Sequence, residues 1–312
     1  MKDLLRTADL SRDDIELLLE SSAKFAASPL SASDQLRNKT VAIYMTKPST
    51  RTRLASETAT AHLGGTPIFI RGDELQLGRG ETISDTAKII SGFCDALIIR
   101  TYAQSDVDEL GAAASIPVIN GLTDDDHPTQ LLADWVTITE KFGRDIAGRK
   151  LVYVGDGNNM SHAWLVMGAI MGAHVVAATP SGKWAPDSAV VAKAQALAAH
   201  TGATIEVTND PESAAKGASV LYTDVWMSMG DPETEVVLPR IKSDLLEVFV
   251  AVANHVGTSL KYPLYVLLYN PLSYSLPTPE IQGLPCANPP TLGLSSTIQR
   301  VSSPVLFTIL PF

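Results

Sequence analysis

The sequence predicts an α/β fold made of two doubly wound parallel-sheet domains. Three observations carry that prediction. Short apolar runs bounded by polar residues recur along the first half: VAIYM (41–45), TPIFI (66–70), ALIIR (96–100) and PVIN (117–120). Such runs read as strands buried on both faces, and helix-like stretches separate them, which implies parallel pairing. The same alternation begins again at KLVYVGD (150–156), and 312 residues suffice for two cores.

The elements follow in order. Ser11 with Asp13, Asp14 and Glu16 marks a helix N-terminus, and Ile15, Leu18 and Leu19 fall on one face of it. A helix is expected from about Ser49 through TRLASETATAHLG, with others at 81–92 and 105–114. HPTQLLADWVTITEKFG (127–143) reads as one long helix with Gly143 as its cap. After a junction near 142–149 come a strand at 150–156 and a helix from about Asn159. Then follow a strand at 173–180, a helix at 186–201, and strands at 203–208 and 218–226. The domain boundaries expected from this pattern are 1–142 and 150–248, with residues 249–312 as an atypical tail.

Composition narrows the partners. The chain is 45% hydrophobic and 19% charged, with a net charge of −10. No basic stripe offsets that charge, which argues against a nucleic-acid partner. An anion must therefore be held in a local pocket. Cys94 and Cys286 give neither a disulfide framework nor a zinc spacing, so a reducing cytoplasm is the expected setting. The charged, amphipathic N-terminus lacks a signal-peptide core, and no run of eighteen apolar residues indicates a membrane span.

Ligands of open α/β sheets sit beyond the carboxyl ends of the strands, and the distinctive motifs lie there. Lys47-Pro48-Ser49-Thr50-Arg51-Thr52-Arg53 follows the first strand and opens a helix. Free N–H groups at a helix N-terminus hold anions, and hydroxyls with two arginines add donors that match a phosphate. The plain alternative is a Ser/Thr cap with surface arginines. A Walker loop is excluded because its glycines are missing. His127 before Pro128 would, alone, most simply be a satisfied loop residue.

STRTR after the first strand resembles the carbamoyl-phosphate motif of the aspartate and ornithine carbamoyltransferases. His127-Pro128-Thr129-Gln130 resembles that family's His-Pro-x-Gln marker. Arg100 ends the intervening strand, where the family has a further phosphate and carbonyl contact. QLGRGETISDTA (76–87) resembles the loop that a neighbouring subunit lends to the site, with Gln76 as its contact. The resemblance implies that Ser49, Thr50, Arg51 and Thr52 hold the phosphate. Thr52, Arg100 and His127 would point donors at the carbamoyl oxygen, and Gln130 would bind the carbamoyl NH2.

In the second half, Gly155-Asp156-Gly157-Asn158-Asn159 follows a strand. A dinucleotide fingerprint is the rival reading there. It lacks the third glycine, and no acid ends the next strand to grip a ribose. DGNN resembles the ornithine-type motif, with Asn159 on the α-carboxylate. Asp224-Val225-Trp226-Met227-Ser228-Met229-Gly230 resembles the ornithine-specific D-x-x-x-S-M-G loop. Asp224 would pair with the α-ammonium, while Ser228 and Met229 would offer a hydroxyl and backbone groups.

The resemblance thus implies carbamoyl transfer from carbamoyl phosphate to the δ-amine of L-ornithine. The products would be citrulline and phosphate, as in arginine biosynthesis, with no metal or organic cofactor, in a homotrimer. Another amine acceptor, such as putrescine or an acylated ornithine, fits less well because neither offers the free α-ammonium that Asp224 would hold. A third possibility is a carbamoyl-phosphate-binding homologue impaired in transfer, because the pattern stops near Val248. The family's His-Cys-Leu-Pro is expected near residue 268, where this chain reads LYVLLYNPLSYSLPTPE. Residues 249–312 hold three charged side chains in 64 and nine of the 19 prolines, the mark of a shifted reading frame or a replaced tail.

Overall fold

The computed structural model describes residues 2–75, 80–224, 265–268 and 298–300, the last two segments as backbone only. Helix α1 (Arg12–Ala27) starts at a capping box: the Ser11 side chain accepts from the Asp14 N–H and the Asp14 carboxylate accepts from the Ser11 N–H. The first sheet is built from β1 (Thr40–Met45), β2 (Thr66–Arg71), β3 (Ala96–Arg100) and β4 (Val118–Leu122), all parallel, in the order β2-β1-β3-β4. Helices α2 (Thr50–His62), α3 (Ile83–Phe93) and α4 (Gln104–Ala113) connect these strands. Strands β1, β3 and β4 are buried nearly throughout, as their uninterrupted apolar runs require. Residues preceding α1 run along β4: Leu4 N–H donates to Val118 O and Asn120 N–H to Leu4 O.

Helix α5 (Pro128–Phe142) leads out of the first sheet, with Pro128 in its first turn and Gly143 at φ 78° as its C-cap. The second sheet contains β5 (Lys150–Val154), β6 (His174–Ala178), β7 (Thr204–Thr208) and β8 (Val220–Thr223). Helices α6 (Asn159–Met171) and α7 (Ser188–Thr201) alternate with them, as does the one-turn α8 (Pro211–Ala215). Two strands from the C-terminal stretch, β9 (Tyr265–Leu268) and β10 (Ile298–Arg300), extend this sheet in the order β10-β9-β8-β5-β6-β7, again all parallel. None of the described helices is long and apolar enough to cross a membrane.

The expected strands and long helices are present, with most ends shifted by one or two residues in either direction. The expected strand 173–180 is β6 at 174–178, and the described part of 218–226 is β8 at 220–223. Helix α8 was not foreseen, since five residues are too few for an amphipathic period. Asp210 caps it by accepting from Ser213 N–H, and Pro211 opens it.

One buried apolar cluster runs through both halves of the chain, from Val41 and Ile98 through Leu131 and Trp135 to Tyr153, Trp164 and Val175. Aromatic rings make the seam. Trp164 of α6 lies 5.0 Å from Trp135 of α5 and 4.7 Å from Tyr222 of β8, centroid to centroid, and is fully buried. These separations suit tilted ring pairs, which add to what burial alone provides. Trp164→Ala would leave a cavity where three elements meet and is expected to lower stability by about 3–5 kcal/mol. Denaturant unfolding checks this; a loss within the range of an ordinary surface substitution, about 0.5 kcal/mol, would show that the seam is not a keystone.

Candidate active site

In the order β2-β1-β3-β4 the chain reverses direction of travel between β1 and β3, and in the second sheet between β5 and β8. Crevices at such switch points are where open α/β sheets take ligands. The described sequence-derived candidates lie near both.

At the first, β1 leads into the turn 46–49 and β3 ends at Arg100. The Ser49 hydroxyl caps α2 by accepting from Thr52 N–H at 3.3 Å, and it lies 3.1 Å from the Thr52 hydroxyl. Arg100 is buried; its Nε donates to Lys47 O at 3.2 Å and Nη1 to the Thr52 hydroxyl at 3.4 Å. Thr50 and Arg51 stand exposed in the first turn of α2. A cleft of about 740 Å³ opens beside them, lined by Pro48, Ser49, Thr50 and Arg53, with Phe69 and Arg71 opposite. Lys47, which the motif contained without a role, is buried and pairs with Asp124 at 2.7 Å; its ammonium also lies 5.1 Å from the Tyr102 ring.

His127 closes this group from the β4 side. Burial first, and then the charges of Arg100 and Lys47, hold its pKa well below the usual 6.5, so the ring is neutral. The Thr129 hydroxyl lies 3.2 Å from Nδ1 and orients it. The preceding Asp126 accepts from Thr7 N–H at 2.6 Å and from the Thr7 hydroxyl at 2.7 Å. Gln130, on the first turn of α5, donates from Nε2 to Asp134 Oδ1 at 2.9 Å. Asp134 is fully buried, and its pKa is pushed well up. Desolvation is the main cause and the charge of Asp224 adds to it, against hydrogen bonds from Gln130, Trp164 and Tyr222.

At the second switch point the Asn158 side chain caps α6, accepting from Met160 and Ser161 N–H groups. Its Nδ2 donates to Asp224 Oδ2 at 3.1 Å and to Asp156 Oδ1 at 3.1 Å. Asn159 reaches the other way and donates from Nδ2 to Thr123 O at 2.8 Å, in the loop before His127. The structure therefore joins Ser49, Thr52, Arg100 and His127 in one corner and links Asn159 to the loop that carries His127. It places Asp224 beside Asn158. Gln76, Ser228 and Met229 lie outside the described residues. A Cβ on Gly157 would come within 2.2 Å of the Ala185 backbone, so that glycine serves a close packing of two loops rather than an approach by pyrophosphate.

Sequence reasoning missed Lys47, Asp126, Thr129, Asp134 and Asn158 as parts of this site. Asn158 stood in the DGNN motif and Thr129 in the His-Pro-Thr-Gln marker without a role of their own; Lys47, Asp126 and Asp134 depend on partners distant in sequence.

The geometry defines a two-lobed α/β protein with a cationic, hydroxyl-rich corner at the switch point of one sheet and the carboxylates of Asp156 and Asp224 at that of the other. Residues 2–140 match the family model of the aspartate/ornithine carbamoyltransferase carbamoyl-P binding domain, and residues 147–248 that of the Asp/Orn binding domain. The chain belongs to the aspartate/ornithine carbamoyltransferase family. It is 48% identical over 231 residues to the ornithine carbamoyltransferase of Anoxybacillus flavithermus, covering 73% of each chain. To that of Pyrococcus horikoshii it is 47% identical over 231 residues, covering 73% of this chain and 72% of the other. The solved ornithine carbamoyltransferase of Pyrococcus furiosus superposes with a TM-score of 0.75 at 41% identity, over 86% of this chain and 84% of that one. That of Gloeobacter violaceus gives 0.71 at 37%, with the same coverage.

A neutral, buried His127 has a spectroscopic consequence. Its ring resonances should show no titration step around pH 6.5, the ordinary histidine value, and protonation should appear only well below that. A His127 resonance that titrates near 6.5 would mean that the ring is solvated and that Arg100 and Lys47 do not act on it.

Proposed function

We propose that this chain is an ornithine carbamoyltransferase by descent, which binds carbamoyl phosphate at the first switch point and L-ornithine at the second. The observation that supports it best is the meeting of Ser49, Thr52 and Arg100 with a neutral His127 at adjoining strand ends. Phosphate would sit at the N-terminus of α2 on Ser49, Thr50, Arg51 and Thr52, with Arg100 beneath and Gln76 donated by a neighbouring subunit. Thr52, Arg100 and His127 would direct donors at the carbamoyl oxygen, where negative charge grows as the amine attacks. A neutral imidazole has one ring proton; in the tautomer whose Nδ1 accepts from the Thr129 hydroxyl, that proton would be on Nε2 and available to the substrate. Gln130 has its Nε2 committed to Asp134, which leaves its carbonyl oxygen to accept from the carbamoyl NH2.

Ornithine would be held by its α-carboxylate on Asn159 and its α-ammonium on Asp224, with Ser228 and Met229 completing the pocket. The deprotonated δ-amine attacks the carbamoyl carbon, the C–O bond to phosphate breaks, and citrulline and inorganic phosphate leave. Positioning and charge stabilisation supply the catalysis. The setting we propose is cytoplasmic arginine biosynthesis, and the assembly a homotrimer, because Gln76 lies on a loop that would serve a neighbour's site. Sedimentation of the purified chain should give a trimer; a monomer with full activity would remove the shared-site reading.

The tail favours a second statement about activity. All the phosphate and carbonyl donors lie between residues 49 and 130, upstream of the change in composition at 249. The His-Cys-Leu-Pro motif that orients the amine in the family is absent from its expected place. Misplacing a reacting atom by about 1 Å costs roughly a hundredfold in rate. The chain should therefore bind carbamoyl phosphate, with Arg51→Ala weakening that binding by about 2–3 kcal/mol, yet produce little citrulline. A citrulline assay beside a version with a family-like sequence after Val248 tests this. Equal turnover from the two would show that the present tail supplies what the motif supplies elsewhere.

A further inference from the structure

We infer that Asn158, not only Asp224, sets the acceptor site: its carboxamide positions the Asp224 carboxylate by joining the start of α6 to the end of β8. The inference rests on the acceptor reading of Asp224 given above. Asn158 and Asp224 follow β5 and β8, the two strands that flank the switch point of the second sheet. The side chain of Asn158 is used at both ends. Its Oδ1 accepts from Met160 N–H at 2.9 Å, Ser161 N–H at 3.2 Å and the Tyr153 hydroxyl at 3.2 Å. Its Nδ2 donates to Asp224 Oδ2 and Asp156 Oδ1, each at 3.1 Å.

No other residue type common at a helix start does both tasks. Serine and threonine cap equally well but carry no second arm. Aspartate caps well and suits the positive end of the helix, but it offers no donor and would bring a third carboxylate against Asp156 and Asp224. The choice of Asn over Asp is therefore explained by Asp224 rather than by the helix. The donated N–H groups hold one oxygen of Asp224 in place and partly balance two neighbouring acids, so that an arriving α-ammonium meets an oriented carboxylate. Asn158 is thus a positioning residue, and Asp224 is the group that touches the substrate.

The test separates capping from positioning. Asn158→Asp preserves the cap, so the variant should fold and keep the wild-type affinity for carbamoyl phosphate, with its melting temperature lowered only by repulsion from Asp156 and Asp224. L-Norvaline carries the α-ammonium and α-carboxylate of ornithine without the δ-amine, so its binding does not depend on turnover. Titrated into protein saturated with carbamoyl phosphate, it should bind Asn158→Asp at least about tenfold more weakly, the scale of one lost hydrogen bond to a charged group. Asp224→Asn should weaken it by a similar factor. Unchanged norvaline affinity in Asn158→Asp with a loss in Asp224→Asn overturns the positioning role and leaves the acceptor reading standing. No loss in Asp224→Asn, or no norvaline binding by the wild type, overturns the acceptor reading and this inference with it. A parallel fall in melting temperature and in both affinities would assign Asn158 to the fold alone.

Discussion

The buried carboxyl of Asp126 holds together the loop on which both halves of the site depend. It takes two hydrogen bonds from Thr7, in the segment that runs beside β4, and thereby anchors the residue next to His127. The rest of the loop is fastened from other directions. Asp124 N–H donates to Tyr102 O and Asp126 N–H to the Thr123 hydroxyl, while Asn159 of α6 donates to Thr123 O. Desolvation raises the pKa of Asp126 from 3.8 to about 6 against those hydrogen bonds. The folded chain therefore holds this proton more tightly than the unfolded one. The associated stability is fully present below 3.8 and is lost as pH rises through about 6, a difference of about 3 kcal/mol. At neutral pH the fold tolerates an ionised buried acid because the geometry of the His127 loop requires it.

The electrostatics of the first crevice run against those of the molecule. A chain with a net charge of −10 concentrates Lys47, Arg100 and the N-terminus of α2 in one corner, with Asp124 on Lys47 as a partner. That local field repels a proton from His127 and attracts an anion. The two effects are coupled: burial first, and then the charges of Arg100 and Lys47, keep the imidazole neutral and so preserve it as a single-proton donor. Protonation would add a third cation to a desolvated site, which burial alone already disfavours.

Much of this was legible in the sequence. Buried parallel strands announce themselves as apolar runs, and the cap signals of Ser11, Ser49 and Gly143 place helix ends to within a residue or two. The helix start that carries Ser49, Thr50, Arg51 and Thr52 was also readable, since the four residues are consecutive and share one cap. What could not be read were pairings across the chain. Thr7 and Asp126 are 119 residues apart and Asn158 and Asp224 are 66 apart, and no local pattern distinguishes a carboxylate bound in that way from one on the surface. Asp134 of α5 is fully buried, and nothing in its local sequence marks it.

Asp134 also explains how two lobes with opposite tasks share a core. Helix α5 leaves the first crevice carrying Gln130 and, one turn on, presents Asp134 to Trp164 and Tyr222 of the second lobe. Burial first, and then the charge of Asp224, push the pKa of Asp134 well up, which favours the protonated form. A second ionised carboxylate there would repel Asp224 in a low-dielectric interior and gain nothing from solvent. In the protonated form Asp134 accepts the Gln130 N–H without opposing Asp224. The aromatic seam packs around this contact, so the orientation of Gln130 in one lobe is tied to side chains of the other through one buried carboxyl.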